Sequence, residues 1–163
     1  MEVLSKTKVS CVLALSFCAC AVMTVAPAIA HAQQHEIVYQ GLVNNQTYCI
    51  WGSPSFDPVN GIASASVYTD GNCGAFDYRV LIPFTSREVS VYPIAWYSDG
   101  QGSYIQCQVG AEIKVSNAYS LTKNTQVTAC PHQRWISVWA HVAARPTSTW
   151  YGGDVYGQPV WYP

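Results

Sequence analysis

Basic residues are too few and too scattered to form a patch. Eight Lys and Arg stand against nine Asp and Glu in 163 residues, which argues against nucleic acid as a partner. No acidic run is present either, so bulk electrostatics single out no partner. Past the first residues no stretch is long and apolar enough to span a membrane as a helix. No segment there has a 3.6-residue apolar period, so helices are not expected. The spacings Cys-x-x-Cys and His-x-x-x-His are missing, which removes the usual zinc sites. There is no Gly-x-Ser-x-Gly elbow for a serine hydrolase. There is also no Asp-x-Asp-x-Asp-Gly loop for calcium. Asp70-Gly71-Asn72 and Gly152-Gly153-Asp154 read as turns rather than as calcium ligands.

What is present begins with an export signal. Lys6 and Lys8 make a positive start, Val9 to Ala26 is nearly all apolar, and Ala28-Ile29-Ala30 and Ala30-His31-Ala32 both offer cleavage sites. Residues 1–32 read as a secretory signal peptide. A retained anchor is the rival reading, and a lipid on Cys20 is a weaker one, with Phe17 where Leu is usual. The expected location is secreted or periplasmic. In a eukaryote, Asn45-Gln46-Thr47 would be a glycosylation sequon. The remainder is about one ordinary domain long. It is read as a stapled β domain over 33–146 and an aromatic, Gly/Pro-rich segment over 147–163.

Cysteine supports the same location. Cys11, Cys18 and Cys20 leave with the signal, and Cys49, Cys73, Cys107 and Cys130 remain. An even set in an exported chain predicts two disulfides. The most local pairing is Cys49–Cys73 and Cys107–Cys130, each closing a loop worth about 3 kcal/mol in the chain-entropy model. The two Cys-x-x-Gly segments at Cys49 and Cys107 raise a further expectation, a two-fold internal pseudo-repeat.

Short alternating stretches fill the chain. Expected strands are Glu36–Val43, Tyr48–Trp51, Ile62–Thr69, Phe76–Phe84, Val89–Tyr97, Tyr104–Val115, Tyr119–Thr122, Thr125–Cys130 and Arg134–Arg145. In Tyr104–Val115, the odd-numbered Ile105, Cys107, Val109, Ala111, Ile113 and Val115 are expected to point inward. Asp70-Gly71 and Asp99-Gly100 supply the positive φ of tight turns. The predicted fold is all-β: an antiparallel sandwich or barrel of about eight to ten short strands.

Arg134–Arg145 is the most organised stretch. Ile136, Val138, Ala140, Val142 and Ala144 fall on one face, and Trp135, Ser137, Trp139, His141 and Ala143 on the other. The first face suits a tight core. The second suits either a second packed layer or a ligand, and Trp135, Trp139 and His141 are candidate binding residues. A second candidate set is Trp150, Tyr151, Tyr156, Trp161 and Tyr162 in the terminal segment, where Tyr151, Tyr156 and Trp161 recur every five residues. That is neither a helix nor a strand period, and Gly and Pro forbid a long regular strand, so the segment reads either as a contact loop or as a stretch laid across the sandwich to plug a gap.

No enzyme site emerges from the residues. His35 is expected to be mobile near a new N-terminus, His132 sits in a turn, and Asp77 and Glu112, beside Arg79 and Lys114, read as a solvated face. The expected role is a non-enzymatic binding module without a cofactor or metal, meeting an extracellular or periplasmic protein or glycan through aromatic rings. The alternatives are an enzyme inhibitor presenting the proline-stiffened loop Ser53–Val59, and then a small hydrolase. A hydrolase would need His141 or His132 hydrogen-bonded to a carboxylate.

Overall fold

A computed structural model of the chain describes residues 34–74, 76, 77 and 81–163. The signal-peptide reading of 1–32 lies outside them, as do Tyr78 to Val80 of one expected strand. Ten strands are described: β1 Glu36–Val43, β2 Gln46–Asp57, β3 Ile62–Asp70, β4 Ser86–Ser98, β5 Tyr104–Val109, β6 Ile113–Ala118, β7 Ser120–Gln126, β8 Arg134–Arg145, β9 Tyr151–Tyr156 and β10 Val160–Tyr162. All pairings are antiparallel. Among the described residues no helix is long and apolar enough to cross a membrane.

The strands make two sheets packed face to face. The smaller runs β1-β2-β3-β7. The larger has β4 and β8 at its centre, with β5 and β6 sharing the outer side of β4, and β9 and β10 sharing the outer side of β8. The aliphatic face of β8 fills the space between the sheets: Ile136, Ala140, Val142 and Ala144 are fully buried. Ala140, Val142 and Ala144 meet Tyr48, Ile50 and Val67 of the smaller sheet and Val89 and Val91 of β4. A second cluster joins Phe56, Val127, Ile136, Val138, Val160 and Tyr162.

Two prolines sit where strands can tolerate them. Proline has no N–H, so it belongs where the ladder is interrupted. Pro93 lies in the middle of β4 and its carbonyl accepts from Gly110 N at 2.8 Å. In an extended residue the N position points the same way as the carbonyl. The missing N–H therefore faces the break between β5, ending at Val109, and β6, starting at Ile113. Gly110 makes that break fit: a Cβ there would stand 2.8 Å from Pro93 Cδ and meet the Thr125 hydroxyl. Pro54 lies in β2 beyond the end of its ladder with β1, which stops at Gly52.

Several expectations change. Ser53–Val59 is not a projecting loop. Ser53 to Asp57 are part of β2, paired along β3, with Ser53, Pro54 and Phe56 buried. Tyr104–Val115 is two strands, not one, and Ile105, Val109 and Val115 are 41–46% exposed. The alternation was real, but β5 lies at the sheet edge, where only Cys107 of its inward side reaches the core, beside buried Cys130. Lys123-Asn124 does not separate two strands, since β7 runs through them and the chain turns only after Gln126. The described part of Phe76–Phe84 is not a strand apart from one bridge, Asp70 to Pro83. Phe76 instead caps the outer face of the smaller sheet. Its ring lies 5.2 Å from both Trp51 and Tyr68, which are register partners there. His35 stacks on Phe76 at 3.7 Å, so it is a packed ring. The two halves of the chain are not built alike, because Cys49 lies inside the smaller sheet and Cys107 on an edge strand of the larger. The segment over 147–163 is not laid across the sandwich. It supplies β9 and β10 to the larger sheet.

One expected disulfide is formed, Cys107–Cys130. Cys49 and Cys73 are neighbours with their thiols in hydrogen-bonding contact, near disulfide distance, and burial pushes the Cys49 thiol well up. They sit where a bridge would pin the segment after β3 against β2. Protein recovered from an oxidising compartment should therefore show no free thiol by intact mass after alkylation in denaturant. Under those conditions Cys73→Ala should lower unfolding stability by about 3 kcal/mol, and by much less under reduction.

Tyr48 is fully buried and its hydroxyl hydrogen-bonds Ser86 Oγ at 2.9 Å. Burial raises its pKa to about 12. An unfolded tyrosine ionises near 10, so between pH 10 and about 12 the unfolded chain releases a proton that the folded chain keeps. Stability should fall as pH rises through that window. Denaturation curves for Tyr48→Phe should show a shallower decline.

Candidate functional site

The outer face of the larger sheet is the second aromatic surface of the molecule. Unlike that of the smaller sheet, it leaves large rings exposed, Trp135, Tyr156 and Trp161 among them. Its residues follow from register. On β8 it carries Trp135, Ser137, Trp139, His141, Ala143 and Arg145, the last five opposite Trp96, Ile94, Tyr92, Ser90 and Glu88 of β4. On the other side β9 adds Tyr156 opposite Trp139 and Asp154 opposite His141. β10 adds Trp161 opposite Trp135. Members of both candidate sets thus meet on one surface.

One end of this face is aromatic. Trp139 lies 4.4 Å from Trp96 and 4.5 Å from Tyr156, the first pair tilted and the second edge to face. Trp135 and Trp161 pack edge to face at 5.6 Å. The rings brace one another, so their positions are fixed, yet Trp135, Tyr156 and Trp161 remain 45–52% exposed. Pairs in such geometry contribute about 0.5–1.5 kcal/mol each beyond area burial. Five of the six tryptophans in the sequence lie on or beside this face. A surface of that content, left open, costs solubility unless it serves contact.

The other end is polar. His141 Nδ1 and Asp154 Oδ1 are 2.7 Å apart, and the imidazole stacks on Tyr92 at 4.7 Å. Burial, and then the carboxylates of Asp154 and Glu112, raise the Tyr92 pKa. Ser90 Oγ donates to Glu112 Oε1 at 2.5 Å, and Lys114 Nζ lies 3.4 Å from the same oxygen. The Ser90 hydrogen bond, with Lys114, holds the Glu112 carboxyl below its ordinary range. Arg145 pairs with Glu88. Lys114 and Arg145 both approach the Trp150 ring, at 5.6 and 5.4 Å.

The predicted site residues divide accordingly. Trp135, Trp139, His141, Tyr156 and Trp161 are brought together, and Trp150 stands at the polar end. Tyr151 and Tyr162 are not part of it. Tyr151 pairs with Ala144, faces inward and stacks on Tyr39 at 4.1 Å, and Tyr162 is buried against Phe56. A strand of alternating faces cannot present every aromatic of the terminal segment on one side. Tyr92, Trp96 and Asp154 were missed, although Tyr92 and Trp96 four residues apart in an expected strand carried the needed signal. Glu112 is not strand-borne. It lies in the break between β5 and β6 and turns over β4. Asp70 does not face solvent as a calcium ligand would. It is buried, and its Oδ1 accepts from Asn72 N and Ile82 N. Among the described residues no group of three His, Cys, Asp or Glu is placed to hold a metal.

No family model matches the chain, and no curated protein or solved structure shows significant similarity to it.

The Ser90 hydroxyl is the first cause of the lowered Glu112 pKa. Side-chain NMR titration should find Glu112 ionising below the ordinary carboxylate range, and Ser90→Ala should move it back up. The stabilisation linked to this carboxylate is present at neutral pH and is lost as pH falls through its lowered value.

Proposed function

We propose that this is an exported glycan-binding module that acts outside the cytoplasm through the outer face of its larger sheet. The observation that carries the reading is the braced, uncovered array of Trp96, Trp135, Trp139, Tyr156 and Trp161. Aromatic rings held on rigid strands stack on the apolar faces of sugar rings and lose little entropy in doing so. The face is long. From Trp135 to Arg145 along β8 is about 33 Å at strand rise, which suits an extended chain better than a single sugar. Hydroxyl, imidazole and carboxylate groups of Tyr92, His141 and Asp154 interleave with the rings, matching a ligand that alternates C–H patches with hydroxyls. The export signal and the Cys107–Cys130 disulfide are compatible with an oxidising location.

A specific observation favours a second reading. His141 is hydrogen-bonded to Asp154, the arrangement a small hydrolase would use to orient a base. A hydrolase also needs a nucleophile or activated water beside that imidazole. His141→Ala would then abolish release of reducing ends from a glycan substrate, whereas a pure binder releases none in either form.

Removing the residues after Pro146 would not isolate the face, because it takes Val155, Val160 and Tyr162 out of the core. Surface substitutions serve better. Purified mature protein should pull down with at least one of insoluble cellulose, chitin and peptidoglycan. Trp139→Ala, and separately Trp135→Ala with Trp161→Ala, should weaken that binding about tenfold or more with unchanged circular dichroism. Failure of the native protein to bind any of the three would reject the glycan reading and leave protein partners to be sought.

A further inference from the structure

The polar end of the face holds a cavity of about 210 Å³ lined by Ser90, Glu112, Lys114, Ala143 and Trp150. Register explains the depression. Gly152, Ala143 and Ser90 lie side by side on β9, β8 and β4. At Gly152 a Cβ would stand 2.7 Å from that of Ala143. Larger side chains rise on both sides of this row: His141 and Tyr92 toward the aromatic end, Arg145 and Glu88 toward Trp150.

The lining groups have complementary vacancies. Ser90 and Lys114 both contact Oε1 of Glu112, so Oε2 can still accept a hydrogen bond. The Lys114 ammonium has three N–H groups and one carboxylate contact, so it can donate further. The Ala143 methyl and the Trp150 ring give an apolar surface between them. A ligand group that satisfies all three at once has a methyl, an N–H donor and a carbonyl acceptor in one planar unit. A secondary acetamide is such a group. A bare hydroxyl would leave the apolar surface unfilled, and a free amine would bring an ammonium against Lys114.

We propose that this cavity takes the acetamido group of an N-acetylhexosamine, so that the glycan recognised is a 2-acetamido polymer rather than a plain glucan. This rests on the glycan-binding reading above. The aromatic rows hold the sugar rings, and the cavity reads their substituent.

Three soluble β-1,4-linked hexamers of equal length test it by calorimetric titration: N-acetylglucosamine, glucosamine and glucose. The acetylated hexamer should bind the mature protein about tenfold more tightly than the other two, the size of one charge-assisted hydrogen bond with its apolar contact. Ala143→Leu fills the cavity and should abolish that preference, so that the acetylated and glucose hexamers bind the variant equally. Glu112→Ala, at an exposed position, should cut only the acetylated affinity, by about fivefold, and covers the case in which the Leu variant does not fold. Equal binding of all three hexamers, or tighter binding of the glucosamine hexamer, would overturn the acetamido assignment and leave the aromatic platform standing. Binding of none would overturn both.

Discussion

The rest of the structure depends on β8 having two different faces. A strand buried between two layers is usually apolar throughout. β8 instead alternates small aliphatic residues with Trp135, Ser137, Trp139 and His141. The small set lets the sheets approach closely, so that Ala140, Val142 and Ala144 are fully buried against the smaller sheet. The large set cannot enter that gap and must stand on the other side. A one-residue slip of β8 against β4 would exchange the two sets, driving indole rings into a space sized for alanine and valine. Register along this one ladder therefore fixes both the core and the aromatic face.

The two outer faces of the sandwich then meet different fates. Trp51 and Tyr68 make the smaller sheet aromatic outside as well, but Phe76 covers them and Cys49 and Cys73 lie where a bridge would tie the covering segment down. The outer face of β8 receives no such cover. Its chain neighbours β9 and β10 widen it with Tyr156 and Trp161 rather than folding over it. The contrast matters because both faces hold similar residues, and only one is left able to meet a ligand.

How much of this was legible follows from which rule governed each element. β3, β4 and β8 were readable because the inward side of their alternation is buried. The end of β2 was not, since Pro54 and Pro58 mark a loop unless one knows that β1 has already ended and left that edge unpaired. β5 and β6 alternated convincingly, but alternation cannot reveal how little of an edge strand a second layer covers. The terminal segment hid β9 and β10 because Gly152 and Gly153 contribute no side chain to a period. Gly152 is needed there because its neighbour Ala143 leaves no room for a Cβ. Trp135, Trp139 and His141 were found because they share a strand. Tyr92, Trp96 and Asp154 were missed because only cross-strand register brings them to the same place.

That dependence on register makes the face a composite. The aromatic end draws rings from β4, β8, β9 and β10, and the polar end draws groups from β4, β6, β8, β9 and the break between β5 and β6. No contiguous peptide from the chain could reproduce it. The residues that create it also close the core: Val155 lies between Asp154 and Tyr156 on β9, and Val160 and Tyr162 flank Trp161 on β10. Each short strand is held by its inward side chains and presents its outward ones. Loss of the terminal strands would therefore uncover the core and dismantle the face in the same step, because the alternation that anchors them is the alternation that displays their rings.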